Sequence, residues 1–294
     1  MKKSVEKIER VGVIGNSSKV SCAGAVKKAS RLIDAAGRKL YSDATTSQWA
    51  NFKAVVFPDA ATLARAVDLL LVFGGDGTML RVAREIAGSR TPMLGINIGS
   101  LGFLTAVPSA QLPQALERVW KGEFHFETRA LIEAVGRSGG SLVQQTALND
   151  FVVSRGIASR LIELEVRIDG SPLTRYRCDG LIVSSPTGST AYSLAAGGAV
   201  VFPTAEVLAL TPICPHTLSN RSLILPLSAN IEVKVISPSP TTILSADGQV
   251  VCELSTNDVI TLRRSRRAVQ LMHLAGSSFC ETLRLKLHWR GATL

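Results

Sequence analysis

The chain has 294 residues, a formal net charge of +10, 46% hydrophobic and 19% charged residues. That length holds one large domain or two ordinary ones, and that balance excludes wholesale disorder. The charge suits an anionic ligand, but aromatics at 5% do not interleave with a basic stripe, which leaves a stacking platform for single-stranded nucleic acid without support.

Five cysteines, Cys22, Cys178, Cys214, Cys252 and Cys280, are scattered without a Cys-x-x-Cys pair. Reduced, buried thiols are expected, not a disulfide framework or a zinc site. Residues 1–7 lack an apolar core of signal-peptide length, and no apolar run is long enough to cross a bilayer. The expectation is a soluble cytoplasmic protein.

In chain order, residues 11–16 read as a short strand ending in turn residues. Residues 19–36 follow helical spacing, with Val20, Ala23, Val26 and Ile33 on one side and Gly37 as the stop. Residues 42–51 are polar and read as a mobile loop. After another helix, the apolar run 69–73 reads as a buried parallel strand and residues 79–88 as a helix closing at Gly88. Residues 92–97 are the next strand. Ser109 can cap a helix in which Leu112, Leu116, Val119 and Trp120 recur, and Gly122 ends it. This alternation predicts an α/β domain over residues 1–123 with a Rossmann-like parallel sheet. From residue 124 the period becomes two. Residues 161–170 and 243–251 each carry an Asp-Gly hairpin signal, and 231–235 alternates as well. A mainly antiparallel β-rich domain is predicted over 124–277. The basic run 263–267 reads as a solvated turn between strands, with nucleic-acid contact as the alternative. Residues 278–294 hold a helix expected to pack back on the first domain.

Five clusters carry possible chemistry. Gly74, Gly75, Asp76, Gly77 and Thr78 sit where a strand's carboxyl end meets a helix's amino end, the edge at which open α/β sheets bind ligands. Glycines let backbone N–H groups approach phosphate oxygens, and the helix terminus favours negative charge. Asp76 is a poor phosphate ligand by itself; it suits a base for a hydroxyl or a metal partner. A tight turn with Asp76 capping the helix is the plainer alternative. The glycine-rich stretch 95–105 reads either as a second phosphate wall or as a structural loop. Asn149 and Asp150 interrupt an apolar run and need partners if buried; an amide can pair with an adenine edge and a carboxylate with ribose hydroxyls, while a solvent-facing bulge is the alternative. Residues 177–198 combine small hydroxyl residues and glycines with Tyr192, which fits a flat polar ligand or a capped helix start. Asp247, Gly248 and Gln249 by themselves read as a plain hairpin turn.

The order and spacing of residues 74–78, 149–150 and 179–198, with the glycine-rich 95–105, resemble the bacterial-type NAD kinases. The 74–78 motif is also shared with lipid kinases of the diacylglycerol and sphingosine types and with phosphofructokinases. The block Ser185, Pro186, Thr187, Gly188, Ser189, Thr190, Ala191, Tyr192 is far more specific and favours NAD kinase. The resemblance implies transfer of the γ-phosphoryl of ATP, or of polyphosphate, to the adenosine-ribose 2′-hydroxyl of NAD, giving NADP, with a divalent ion, usually magnesium. It implies Asp76 as the base, Gly77 as an NAD contact and Arg81 as a phosphate contact. Asn149 and Asp150 would hold the adenine and ribose, and Arg160, Arg177 and Asp179 would line the site. Thr190, Ala191, Tyr192, Ser193, Leu194 and Ala195 would line the dinucleotide cleft, with Gln249 closing it. It also implies a homodimer or homotetramer in which a neighbour's second domain completes the site, and no membrane or nucleic-acid partner.

The family usually has Asn-Glu where this chain has Asn149 and Asp150, so the carboxylate is one methylene shorter. Ser185 stands where threonine is common. Two rival functions are a lipid kinase, which predicts an apolar or membrane-facing groove near residues 74–78, and a non-catalytic NAD(P) sensor.

Overall fold

In the computed structural model, which describes residues 8–105, 107–156, 160–217, 221–237 and 242–289, strands and helices alternate to residue 120 and strands dominate thereafter. The alternating part runs β1 (Arg10–Gly15), α1 (Val20–Ala35), β2 (Lys39–Asp43), α2 (Ala44–Ala50), β3 (Val55–Phe57), α3 (Ala60–Ala66), β4 (Leu69–Gly74), α4 (Asp76–Glu85), β5 (Pro92–Asn97), β6 (Val107–Pro108) and α5 (Leu112–Trp120). The rest runs β7 (Phe124–Ser138), β8 (Ser141–Ala147), β9 (Asp150–Arg155), β10 (Ile162–Ile168), β11 (Ser171–Cys178), β12 (Gly180–Ser184), α6 (Tyr192–Ala195), β13 (Val207–Ile213), β14 (Leu223–Pro226), β15 (Ile231–Val235), β16 (Thr242–Ala246), β17 (Gln249–Leu254), β18 (Val259–Leu274) and α7 (Phe279–Lys286). Two compact units result, one holding residues up to 128 and from 269 onward, the other holding 129–268.

In the first unit the strands pair in the order β5-β4-β1-β2-β3, all parallel, and the end of β18 joins β5 in parallel through Gln270 and Leu271. Leu69, Leu70, Leu71, Val72 and Phe73 are fully buried, as a strand covered on both faces requires. One face packs on α1 and α5 through Cys22, Val26, Ala29, Ile33, Leu116 and Val119. β1, β2 and β3 progress one way across the sheet and β4 and β5 the other, so the direction reverses between β1 and β4. Ligands bind outside the carboxyl ends of strands at such a switch point.

The second unit has two antiparallel layers. β11-β10-β15-β18 form one and β14-β13-β12-β9-β16-β17 the other. Their inward residues, among them Leu164, Val166, Val233, Phe151, Leu181 and Leu244, share one core. Both Asp-Gly hairpin signals are realised: Asp169 and Gly170, and Asp247 and Gly248, all have positive φ, the conformation that two-residue hairpin turns need.

Five expectations are corrected. Of the five cysteines only Cys22 and Cys178 are buried, while Cys214 and Cys280 are exposed. Residues 42–51 form no mobile loop: Asp43 caps α2 by accepting from Thr46 N at 3.3 Å, and buried Thr46 accepts from Gly15 N at 2.9 Å. The polar residues there serve the backbone at the end of β1. The helix after the glycine run starts at Asp76 rather than Met79. Ser109 does not cap α5, which begins at Leu112 with Pro113 in its first turn. The run 263–267 lies inside the continuous β18, not in a turn. Its arginines point outward around buried Ser265, and Arg263 Nε lies 2.8 Å from Glu133 Oε1. A solvated strand face accepts such charges without breaking. Of the expected C-terminal helix, residues 290–294 lie outside the described residues.

Candidate active site

In the first unit the strand–helix junction places Asp76 in the first turn of α4, with Gly75 as N-cap and no side-chain cap bond. The carboxylate therefore does not cap its own helix. It reaches the glycine-rich segment that follows β5. Phe103 N donates to Oδ2 at 2.8 Å; Leu104 N at 3.0 Å, Thr105 N at 3.1 Å and Thr105 Oγ1 at 3.1 Å donate to Oδ1. A carboxylate offers about four lone-pair sites. Oδ1 is crowded with donors, and Oδ2 keeps acceptor capacity for one more hydroxyl.

The glycines divide by role. A Cβ on Gly102 would sit 2.0 Å from Asp76 Oδ1, and one on Gly74 would sit 2.2 Å from Thr78 Oγ1, so both make room for neighbours. A Cβ on Gly75 or Gly77 would meet nothing within 4 Å. Their backbone faces open space at a helix start, where the first amides lack intrahelical acceptors. That is the environment an anionic ligand needs. Asn97, 4% exposed, shapes the loop: Nδ2 donates to Ser100 O at 2.7 Å and Thr105 Oγ1 at 2.8 Å, and Oδ1 accepts from Gly99 N at 2.8 Å. The stretch 95–105 is thus a built loop, tied to Asp76.

Two residues of the β1–α1 turn join this edge without having been anticipated. Asn16 Nδ2 donates to Thr78 Oγ1 at 3.3 Å across the switch point. The Lys19 ammonium stands over Gly99, 3.9 Å from where a Cβ there would lie. The only sequence signal was a polar Asn-Ser-Ser-Lys turn after a strand. Arg81 lies on the outer surface of α4, where Nη1 pairs with Glu85 Oε1 at 2.9 Å.

In the second unit, Asn149 and Asp150 lie at the start of β9 and are 9% and 3% exposed, which removes the solvent-facing bulge. Asp247, at the β16–β17 hairpin, holds this stretch: its carboxylate accepts from Leu148 N at 3.1 Å, Asn149 N at 2.7 Å and Asp150 N at 3.3 Å. Burial, and then the charge of Asp247, push the Asp150 carboxyl up to about 7. The sequence singles out Asp247 only as part of a plain hairpin turn, the same signal as the Asp-Gly turn at 169–170, and its role as acceptor for these amides was not foreseen.

The 185–190 turn presses onto Asn149. Ser185 N and Ser184 Oγ donate to Asn149 O at 2.8 and 3.3 Å, and Ser185 Oγ donates to Leu148 O at 2.5 Å. A Cβ on Gly188 would sit 2.2 Å from Asn149 O, so only glycine fits. Buried Arg129 donates to Thr187 Oγ1 at 3.1 Å. Of the six residues 190–195, Ser193 is fully buried, with its hydroxyl 3.1 Å from Thr211 Oγ1. Thr190, Ala191 and Leu194 are half-buried, and Ala195 and Tyr192 are exposed, Tyr192 at 48%. Gln249 is exposed at the start of β17.

The remaining residues are not brought together with these. Asp179 follows β11, pairs with Arg155 Nε at 2.7 Å, and sits beside the end of β9 opposite Asp150. Four residues of strand, about 14 Å, separate Asp150 from Ser154. Exposed Arg177 pairs across strands with Glu163, and exposed Arg160 precedes β10, whose first residue pairs with Cys178. Arg160 and Arg177 thus belong to the other antiparallel layer, close in register to the passage from β11 to β12 that holds Asp179. Among the described residues no group of three or more His, Cys, Asp or Glu side chains is placed to hold a metal ion.

The comparisons with known proteins agree on one family. The ATP-NAD kinase N-terminal domain model matches residues 12–124, and the ATP-NAD kinase C-terminal domain model matches 148–274. A NAD kinase of Syntrophotalea carbinolica is 43% identical over 232 residues, 79% of this chain and 81% of that protein. A NAD kinase of Laribacter hongkongensis is 36% identical over 96% of this chain and 97% of that protein. Among solved structures, yeast NADH kinase complexed with NADH superposes with a TM-score of 0.89 at 26% identity, covering 98% of this chain and 90% of that one. A NAD kinase from Archaeoglobus fulgidus in complex with ATP gives 0.73 at 25% identity, over 96% of this chain and all of that one. With its strand–Gly-Gly-Asp-Gly-Thr–helix junction and its clamped Asn149–Asp150 corner inside the two matched regions, the chain belongs to the NAD kinase family.

Proposed function

We propose that this chain moves the γ-phosphoryl of ATP to the 2′-hydroxyl of the adenosine ribose of NAD, with Asp76 as the base. The single observation that carries the role of Asp76 is its carboxylate geometry. Four donors fix the group, and the remaining capacity on Oδ2 sits beside open glycine backbone at a helix start. A positioned base of this kind accepts the hydroxyl proton as the oxygen attacks phosphorus. Gly75 and Gly77 amides and the Lys19 ammonium supply positive charge for phosphate oxygens, and phosphoryl transfer asks mainly for such alignment and charge.

Asn149 supplies an amide for the adenine edge and Asp150 a carboxyl group for ribose hydroxyls; Tyr192, half exposed, offers a face for a base. The shorter Asp150 reaches less far than the family's glutamate, and a bridging water makes up the difference. Arg160, Arg177 and Asp179, gathered near the passage from β11 to β12, serve the dinucleotide of a neighbouring subunit in a homodimer or homotetramer. A magnesium ion fits as the counter-ion of the triphosphate, since ATP-bound magnesium needs few protein ligands. When bound it neutralises charge on the transferring group. ATP is the donor supported by the likeness to the ATP-bound Archaeoglobus fulgidus protein; polyphosphate is the alternative donor. No helix among the described residues is long and apolar enough to cross a membrane.

The test is incubation of the purified protein with ATP, magnesium and NAD, followed by NADP-specific detection. NADP formed in step with ADP is expected. Binding of NAD without NADP would leave a sensor, and phosphate on diacylglycerol in vesicles would leave a lipid kinase.

A further inference from the structure

The C-terminal helix α7 ends on the loop that holds Asp76. Lys286 Nζ donates to Leu101 O at 2.5 Å and lies 5.6 Å from the centroid of the Phe103 ring. Phe279, at the other end of the same helix, also meets Phe103, with ring centroids 6.4 Å apart at 46°. Phe103 is also the residue whose N–H is the one donor on Asp76 Oδ2. The two ends of α7 thus grip the residue that sets the oxygen left open for substrate.

The loop and α7 also border a solvent-open groove of about 720 Å³, lined by Leu101 and Leu104 on the loop, Leu271 on β18 and Glu281, Thr282 and Leu285 on α7. On this side the contacts from Lys286 and Phe279 join the bonds from Asn97 and Asp76 in fixing the loop. Gly102 adds a second constraint: a Cβ there would sit 2.0 Å from Asp76 Oδ1, so the loop backbone lies directly against the carboxylate.

We infer that Lys286, with Phe279, is a positioning residue for the phosphoryl transfer: α7 sets loop 99–105, and the loop sets Asp76 Oδ2. The inference rests on the reading of Asp76 as the base. A base must lie within hydrogen-bond reach of its proton, and an error of about 1 Å costs roughly 100-fold in rate.

The experiment is a steady-state comparison in the full chain. Lys286→Met keeps the aliphatic stem and removes the donor and the charge. Its kcat is expected to fall roughly 10- to 100-fold, with KM for NAD and ATP within about threefold of wild type. Lys286→Arg, which keeps a donor and a cation over the ring, restores most of kcat. In an Asp76→Asn background, Lys286→Met causes no further loss, because the group it positions is already gone. A kcat within twofold of wild type overturns the inference, and so does a loss equally large in the Asp76→Asn background. If Lys286→Met fails to fold, Phe279→Leu is read by the same criteria. Wild-type protein that makes no NADP would sink the underlying reading instead, before any variant is compared.

Discussion

Asp76→Asn separates the two jobs of this side chain. An amide has one oxygen, so if that oxygen keeps the three donors now on Oδ1, its NH2 faces Phe103 N–H, now 2.8 Å from Oδ2. One charge-assisted bond is lost and a donor meets a donor, a cost of about 1.5–3 kcal/mol. Domains of this size carry roughly 5–15 kcal/mol, so the variant folds. Loss of a general base removes about 10²- to 10⁴-fold from kcat. The expected outcome is a melting temperature lowered by a few degrees, faster hydrogen exchange at Phe103 N–H, and kcat down by that factor. Binding of NAD, read by calorimetry, stays near wild type. Turnover within tenfold of wild type, in a variant whose loop amide has nonetheless lost protection, would refute the base: the carboxylate would then be a loop anchor and nothing more.

Four further expectations concern the neighbouring residues. The Asp150 carboxyl is pushed up to about 7, above its unfolded value of about 3.9, so the stability tied to its proton is complete below about pH 4 and lost as pH rises to about 7, a swing of about 4 kcal/mol. Asp150→Asn should therefore gain on wild type by up to that amount between pH 4 and pH 8 in urea midpoints; parallel curves for the two proteins would contradict the assignment. In wild type, KM for NAD should fall as pH rises through about 7 and the carboxylate acceptor forms, and Asp150→Asn should flatten that profile. Asp247→Ala strips the acceptor from three amides at 148–150 and should cost at least about 2 kcal/mol while raising KM for NAD more than KM for ATP; equal rises for both substrates would argue that Asp247 only supports the fold. Gly188→Ala places a methyl 2.2 Å from Asn149 O and should impair NAD binding, read by calorimetry, where Gly197→Ser, in open space but at positive φ, costs stability without that loss.

How far the chain could be read in advance depended on whether the signal was local. The run of five apolar residues before Gly74 and the strand 92–97 were visible because a covered parallel strand needs every residue apolar. The hairpins at 169–170 and 247–248 were visible because Asp-Gly tolerates positive φ. α2 was not, since its seven residues are mostly polar and its value lies in Thr46 meeting Gly15 from 31 residues away. The clamp on Asp76 comes from amides 27 to 29 residues downstream, and the clamp on Asn149 from Asp247, 98 residues on. Backbone N–H donors leave no mark in a sequence, so the spacing gave the chemical groups and the structure alone gave what holds them. Asp179 shows what motif order leaves open: the sequence lists it among residues lining the site, and only the antiparallel pairing of β9 with β12 shows that it stands at the opposite end of both strands from Asp150.

The most direct measurement is a crystal structure of the protein with NAD and a non-hydrolysable ATP analogue. The ribose 2′-oxygen is expected within about 3.2 Å of Asp76 Oδ2, in line with the analogue's terminal phosphorus. A bound dinucleotide whose 2′-oxygen faces another acceptor, with Asp76 still occupied only by residues 103–105, would contradict the account.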